Sequence, residues 1–285
     1  MQLELESVSY TYAPGTSYSA KAVSDASLKI EKGEFIGIMG KTGCGKSTLL
    51  QLMAGLLYAD AGRVLLFGED INSKGYNRRT LRENIGMLFQ FPDYQLFETT
   101  VFRDTAFGLK HSGMKKGEVE AAVREAIELV GFDYNKVKDK SPLGFSGGEK
   151  RKLAIAGILA VKPKILLLDE PVAGLDPLGR TAFLNLLKRL NEKGTTVIMV
   201  SHNADVLSEY ASRIILMKNG RIAADGSTED ILSDYDMLHK SGICTGQVKS
   251  IAKMLCDNGV DISEKTVRFN QLVDEICRVF GREEL

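Results

Sequence analysis

The stretch Gly40-Lys41-Thr42-Gly43-Cys44-Gly45-Lys46-Ser47 limits what this chain can fold into more than any other. It satisfies G-x-x-x-x-G-K-[ST], a spacing at which the backbone N–H groups of a glycine loop converge on phosphate. Its flanks strengthen the match. Phe35-Ile36-Gly37-Ile38-Met39 before it reads as a buried strand, and Leu49, Leu52, Met53 and Leu56 after it keep helical spacing. A strand, a glycine loop and a helix start together provide converging amides and the partial positive charge of a helix N-terminus. Lys46 would reach the β- and γ-phosphates and the Ser47 hydroxyl would sit on Mg²⁺. The competing reading is a glycine-rich strand-to-helix turn that binds nothing.

Composition removes several other classes. The 37 basic and 37 acidic residues cancel, which argues against a dedicated nucleic-acid binder with a positive field. The four cysteines, Cys44, Cys244, Cys256 and Cys277, form no C-x-x-C pair. Neither a disulfide framework nor a zinc site is suggested, and a reducing cytosolic compartment is the simpler expectation. The opening Met1-Gln2-Leu3-Glu4-Leu5-Glu6 alternates charge and apolarity and is not a signal peptide. No apolar run approaches the ~18 residues of a membrane span. Service to a membrane would be by docking.

Around the loop, chemistry-bearing residues recur at strand ends. Leu3, Leu5 and Val8, then Leu28 and Ile30, read as alternating strands separated by Tyr12-Ala13-Pro14-Gly15-Thr16. Tyr12 offers a flat face to an adenine ring, with Tyr10 as competitor and a half-buried strand tyrosine as the plain alternative. Ile85-Gly86-Met87-Leu88-Phe89-Gln90 reads as a strand ending in an amide, broken by Phe91-Pro92-Asp93. Gln90 is either solvated surface or a ligand toward Mg²⁺ or the attacking water. Residues 94–145 carry helical patterns and no strand, with Val119, Ala122, Val123, Ala126, Ile127 and Val130 on one face ahead of Gly131. Ser146-Gly147-Gly148-Glu149 opens a further helix and fits a capping box. Two glycines there weaken the helix start by up to about 1 kcal/mol each relative to alanine, which makes sense where backbone must approach a phosphate. Ile165-Leu166-Leu167-Leu168-Asp169-Glu170 reads as a buried parallel strand whose terminal acids fall where open α/β sheets bind ligands. Asp169 suits Mg²⁺, and Glu170 suits a base for the attacking water. A charged strand-end turn is the alternative. His202 follows the apolar run Val197-Ile198-Met199-Val200 and is either structural or placed to sense a γ-phosphate.

In this order the pieces Gly40–Ser47, Gln90, Ser146-Gly147-Gly148, Ile165–Glu170, Gly174–Asp176 and His202 resemble an ATP-binding-cassette ATPase over roughly residues 1–230. A narrower resemblance, to the ATPases of energy-coupling factor (ECF) transporters, rests on Phe89–Glu98, Arg151–Ala160 and Asp169–Pro177. The opening Tyr12–Thr16 and the C-terminal helices are similar to the second of the two ATPase subunits in such modules. The resemblance implies an α/β P-loop NTPase cassette over residues 1–225, with a mainly parallel core sheet, an N-terminal antiparallel β subdomain and a helical insert over about 94–162. Residues 226–285 would form a helical extension that stabilises an ATPase pair. Val248, Ile251, Ala252 and Leu255, and then Phe269, Leu272, Val273, Ile276 and Phe280, supply its two apolar stripes.

The resemblance further implies ATP and Mg²⁺ as cofactors. Residues Gly40 to Thr48 and Tyr12 would bind nucleotide in one subunit, and Ser146-Gly147-Gly148 would bind the nucleotide of the other. Glu170 would be the base, with His202, Lys46 and Gln90 completing the catalytic set, and Ser47, Gln90 and Asp169 would face the metal. The partners would be a second ATPase subunit, more readily a different chain than a copy, a membrane T component received near Gln90, and a substrate-binding S component. No nucleic acid is implied. The expected place is the cytoplasmic face of the membrane, peripherally, and the expected work is ATP hydrolysis that energises uptake of a vitamin or metal. Alternatives are a conventional ABC importer, a cobalt or nickel transporter, or a soluble ABC ATPase acting on nucleic acid or ribosomes. Only about 50 residues separate Gln90 from Ser146, too few for the long coiled coil of many such soluble proteins. Two positions depart from the family pattern: Phe145 replaces the usual Leu, and Glu149 stands where Gln is frequent.

Overall fold

A computed structural model of the chain describes residues 1–90, 92–110 and 112–281. Phe91, inside the segment Phe89–Glu98 singled out above, lies outside the described residues. The chain opens with β1 (Leu3–Tyr12), β2 (Ala20–Ile30), β3 (Phe35–Gly40) and α1 (Lys46–Met53), then β4 (Ala61–Leu66), β5 (Glu69–Asp70), α2 (Arg78–Asn84) and β6 (Ile85–Leu88). Helices α3 (Val101–Thr105), α4 (Lys116–Leu129), α5 (Tyr134–Val137) and α6 (Gly147–Ala160) follow without a strand, as the patterns predict. Then come β7 (Ile165–Asp169), α7 (Pro177–Glu192), β8 (Thr196–Val200), α8 (Ala204–Tyr210), β9 (Arg213–Lys218) and β10 (Arg221–Ser227). The chain closes on α9 (Thr228–Ser233), α10 (Tyr235–Lys240), α11 (Gln247–Asp257) and α12 (Phe269–Phe280).

Two sheets divide the strands. The first is antiparallel in the order β2-β1-β4-β5; the second runs β10-β9-β3-β8-β7-β6, parallel except for the β10 hairpin. The spacing Leu3, Leu5, Val8 breaks a strict two-residue period, and the structure explains it. Ser7 bulges with φ 47°, and Val8 returns to the buried face. The central strands β3, β7 and β8 of the six-stranded sheet are buried throughout, which is why they read as unbroken apolar runs. Leu166 and Leu168 of β7 and Met199 of β8 pack toward the helical insert. Ile165, Leu167 and Ile198 face the other way, toward α1 and the antiparallel sheet.

One helix was not anticipated. Asn77-Arg78-Arg79 reads as polar connection, yet α2 starts there, because the Asn77 side chain accepts the Arg79 N–H as an N-cap. The hairpin from β9 to β10 turns at Asn219 and Gly220, with φ 49° and 77°. At the C-terminal end, α11 and α12 bury Val248, Ala252, Ile262 and Leu272 among themselves. Ile251, Met254, Phe269, Val273 and Phe280 remain exposed.

Candidate functional site

The parallel strands deliver the chemistry to one edge of the sheet. β3 ends at Gly40, β7 at Asp169 and β8 at Val200, and the connections that follow hold the phosphate loop, Glu170 and His202. Glycine is required in the loop itself. At Gly45 φ is +105°, and an added Cβ would lie 2.2 Å from the Ala22 carbonyl oxygen. Gly45 is also the N-cap of α1 and offers no side chain, so the helix start faces the loop without a protein cap. Lys46 is buried, its ammonium donating to the carbonyls of Gly40 (2.7 Å) and Lys41 (3.2 Å). The cation thus lies inside the curve of the loop. Cys44 is buried as well, with its thiol pushed up chiefly by burial, and its N–H closes a turn onto the Lys41 carbonyl. Lys41, Thr42 and Gly43 form the exposed crest.

Ser47, Gln90 and Asp169 line one recess of about 420 Å³, together with Gln51, Phe89, Tyr94 and Gln95. Three hard oxygen donors facing one space suit Mg²⁺, which keeps several non-protein oxygens in its shell. Among the described residues no group of three His, Cys, Asp or Glu side chains could cage a metal, so phosphate or water would complete the shell.

Glu170 follows the strand in the left-handed region, with φ 47°. Its side chain is 13% exposed, and Oε1 lies 3.3 Å from His202 Nε2 without accepting a hydrogen bond. Burial, and then the neighbouring Asp169 carboxylate, push its carboxyl from 4.5 to about 7, while Lys46 and the His202 backbone pull the other way. Burial and then Lys46 hold the His202 imidazole below its ordinary value. A buried carboxyl with an unbonded oxygen and a pKa near neutrality has the properties of a general base awaiting a water.

Tyr12 lies beside the loop, its hydroxyl 3.2 Å from Thr48 Oγ1, and its ring packs edge-on against Tyr10 at 4.9 Å. Thr48 is buried, and Tyr12 is the more exposed of the two tyrosines.

Ser146, Gly147 and Gly148 stand apart from this group and line none of the recess. The capping box read from S-x-x-E is formed: the Ser146 hydroxyl donates to Glu149 Oε2 (2.7 Å), the same oxygen accepts the Ser146 N–H (2.9 Å), and Ser146 Oγ accepts the Glu149 N–H (3.4 Å). Those bonds hold the Glu149 carboxyl below the usual range. Neither glycine is required by the chain's own packing. A Cβ on Gly147 would meet nothing within 4 Å, and one on Gly148 only Leu175 at 3.6 Å. Phe145 packs edge-on against Phe132 at 5.7 Å, an apolar role that Leu could also fill. Sequence reasoning gave no role to Arg151, whose guanidinium donates to the Ala173 carbonyl and to that of Gln90 at 3.2 Å. It ties α6 to both connections that border the recess.

The profile described as ABC transporter matches residues 23–173. The chain is 38% identical over 284 residues to an energy-coupling factor transporter ATP-binding protein EcfA2 of Clostridium tetani, covering 99% of each chain. It is 42% identical over 279 residues to the protein of that description in Caldanaerobacter subterraneus, covering 98% of this chain and 97% of the relative. Among solved structures it superposes on cbiO1 of Clostridium perfringens, part of the ABC transporter complex cbiONQ, with TM-score 0.72 and 35% identity over 84% of this chain and 93% of that one. A dimeric ATP-binding cassette bound to ADP and Pi gives TM-score 0.72 and 29% identity, over 79% of this chain and 98% of that one.

Proposed function

The chain belongs to the ATP-binding subunits of energy-coupling factor transporters, within the ABC transporter family, and from that premise we propose how its site works and what completes it. It is an ATPase that energises uptake through an ECF-type transporter. The observation that carries the reading of the site is Glu170: half-buried, with its buried Oε1 unbonded, raised to about 7 and directly after a strand whose last residue, Asp169, faces the phosphate-loop recess.

Lys46 exchanges its two loop carbonyls for the β- and γ-phosphate oxygens of ATP. Ser47, Gln90 and Asp169 would hold Mg²⁺, which would supply positive charge against the phosphates. Glu170 accepts a proton from water as the water oxygen bonds to the γ-phosphorus and the bond to the bridging oxygen of ADP breaks. His202 faces the γ-phosphate and orients it. Tyr12 stacks on the adenine.

Ser146-Gly147-Gly148 serves the site of a second ATPase subunit. Two bare glycines beside a hydroxyl, unneeded by the chain's own packing, leave room for a phosphate brought by a partner. We read that partner as a different ATPase chain. The membrane T component docks on a groove of about 910 Å³ lined by Arg79, Phe107, Leu109, Met114, Glu125 and Val161. Phe97 and Phe107, packed edge-on at 4.7 Å and both exposed, extend this apolar surface toward the Gln90 segment with exposed Tyr94. The S component, and the choice of vitamin or metal, lie beyond this chain. No helix among the described residues is long and apolar enough to cross a membrane; from its family we place the chain peripherally, on the cytoplasmic face.

The test is dilution. ATPase activity per subunit should fall as the assembled pair is diluted through its dissociation constant, and adding excess T component should restore it. Activity per subunit that stays constant while the pair measurably dissociates would refute shared sites.

A further inference from the structure

The short helix α8 joins the loop that bears His202 to the C-terminal helices α11 and α12. It begins two residues after His202. Near its start, the Asp205 carboxylate accepts the N–H groups of Gln247 (2.9 Å) and Val248 (3.3 Å), the first residues of α11. The residue at the N-cap of α11 is Gly246, which has no side chain to do this. Asp205 therefore caps a helix 42 residues further along the chain.

Gly246 is explained by the same contact. Its φ of −61° needs no glycine, but a Cβ there would lie 2.3 Å from Asp205 Oδ1. At the other end of α8, the Ser208 carbonyl accepts from Arg268 Nε (2.8 Å), and Glu209 Oε1 accepts from the N–H of Phe269 (2.8 Å), the first residue of α12. Both C-terminal helices thus have their first residues tied to α8. Underneath, α8 rests on the strand that leads into the phosphate loop: a Cβ on Gly37 would meet Ile214 Cδ1 at 2.7 Å and Leu207 Cδ2 at 2.9 Å, so the bare glycine lets Leu207 pack closely on that strand. Leu207 is fully buried there.

We propose that Asp205 is a positioning residue that links the loop bearing His202 to the C-terminal helix pair, so that γ-phosphate at His202 and the seating of α11 and α12 stabilise each other. This rests on the reading of His202 as the residue that faces the γ-phosphate. A rigid element about two turns long with contacts at both ends moves as a unit, and whatever displaces its N-terminal connection displaces the cap on α11. Linkage is reciprocal: loss of the cap weakens nucleotide binding by the factor with which nucleotide strengthens the cap. The exposed stripe Ile251, Met254, Phe269, Val273 and Phe280 rides on that pair, so the device reports nucleotide occupancy on the face it presents.

The experiment uses the full-length assembled ATPase carrying Glu170→Gln, which retains ATP, and reads amide hydrogen exchange at Gln247, Val248 and Phe269 with and without Mg-ATP. In this parent, ATP should raise protection at Gln247 and Val248 about fivefold, the order of one helix cap. Adding Asp205→Ala should lower basal protection at those amides, abolish their response to ATP and weaken ATP affinity about fivefold. Asp205→Asn, which keeps an acceptor oxygen, should restore most of both. Gly246→Ala, which displaces the carboxylate from the far side, should repeat the Asp205→Ala result and guards against a variant that fails to fold. His202→Ala should remove the ATP response while leaving basal protection intact. Failure of the parent to bind ATP would overturn the reading of the site and the link with it. A parent that binds ATP while Gln247 and Val248 stay unresponsive, or an Asp205→Ala variant that keeps the full response, would overturn the link alone.

Discussion

Replacing Glu170 by glutamine should stabilise the nucleotide-free protein above neutral pH while removing its activity. The carboxyl is 13% exposed, Oε1 is unbonded, and Asp169 lies beside it. Its pKa accordingly goes from 4.5 to about 7 on folding. At about 1.4 kcal/mol per tenfold change in proton affinity, ionisation in the folded state costs about 3 kcal/mol as an upper figure. The sign follows from proton counts. Between pH 4.5 and about 7 the folded chain holds a proton that the unfolded chain has lost, so this group's contribution to stability declines as pH rises across that window. Above it the cost is constant, and below it the cost vanishes. Glutamine is never charged and removes the term. Urea denaturation of wild type and Glu170→Gln, free of nucleotide, should therefore give curves that differ by about 2–3 kcal/mol at pH 8 and converge toward pH 4.5. Mg-ATP hydrolysis by the variant should be almost absent, although ATP still binds. A stability difference independent of pH, or a variant less stable than wild type at pH 8, would refute the claim that burial and Asp169 hold this carboxyl high.

Other consequences can be checked more briefly. The kcat/KM of the wild-type ATPase should rise with pH through about 7 as Glu170 ionises, and a flat profile from pH 6 to 8 would exclude it as the base. Gly45→Ala, which drives a Cβ to 2.2 Å from the Ala22 carbonyl, should abolish nucleotide binding measured with a fluorescent ATP analogue. Tyr12→Ala should weaken ATP binding several-fold with Tyr12→Phe nearly normal, since stacking needs the ring and not the hydroxyl bond to Thr48; equal losses in both would assign the effect to the hydroxyl. Ser146→Ala removes an N-cap and should cost about 1 kcal/mol in thermal or urea unfolding. Supplied on one subunit of a mixed pair, it should impair the site of the other.

Much of this was legible in the chain because local chemistry wrote it there. The loop from Gly40 to Ser47, the buried run ending in Asp169 and Glu170, the S-x-x-E capping box and the Asn219-Gly220 hairpin each depend on residues within a few positions of one another. Such signals survive without tertiary information, since a backbone turn, a cap or a doubly buried strand selects its residues directly. Helix α2 escaped notice because its one buried residue, Leu81, leaves no periodic stripe.

The tertiary structure decided what those signals meant to each other. The sheet order puts β8 between β3 and β7, and that adjacency, invisible in sequence, brings His202 to 3.3 Å from Glu170, while burial in the fold, and then Asp169, push the carboxyl to about 7. It also placed Ser146-Gly147-Gly148 away from the chain's own recess, and it joined Asp205 to an α11 that begins 42 residues later. The reason is physical. Residue type and spacing set which groups a loop can offer, whereas burial, field and hydrogen-bond partners depend on which strands lie side by side.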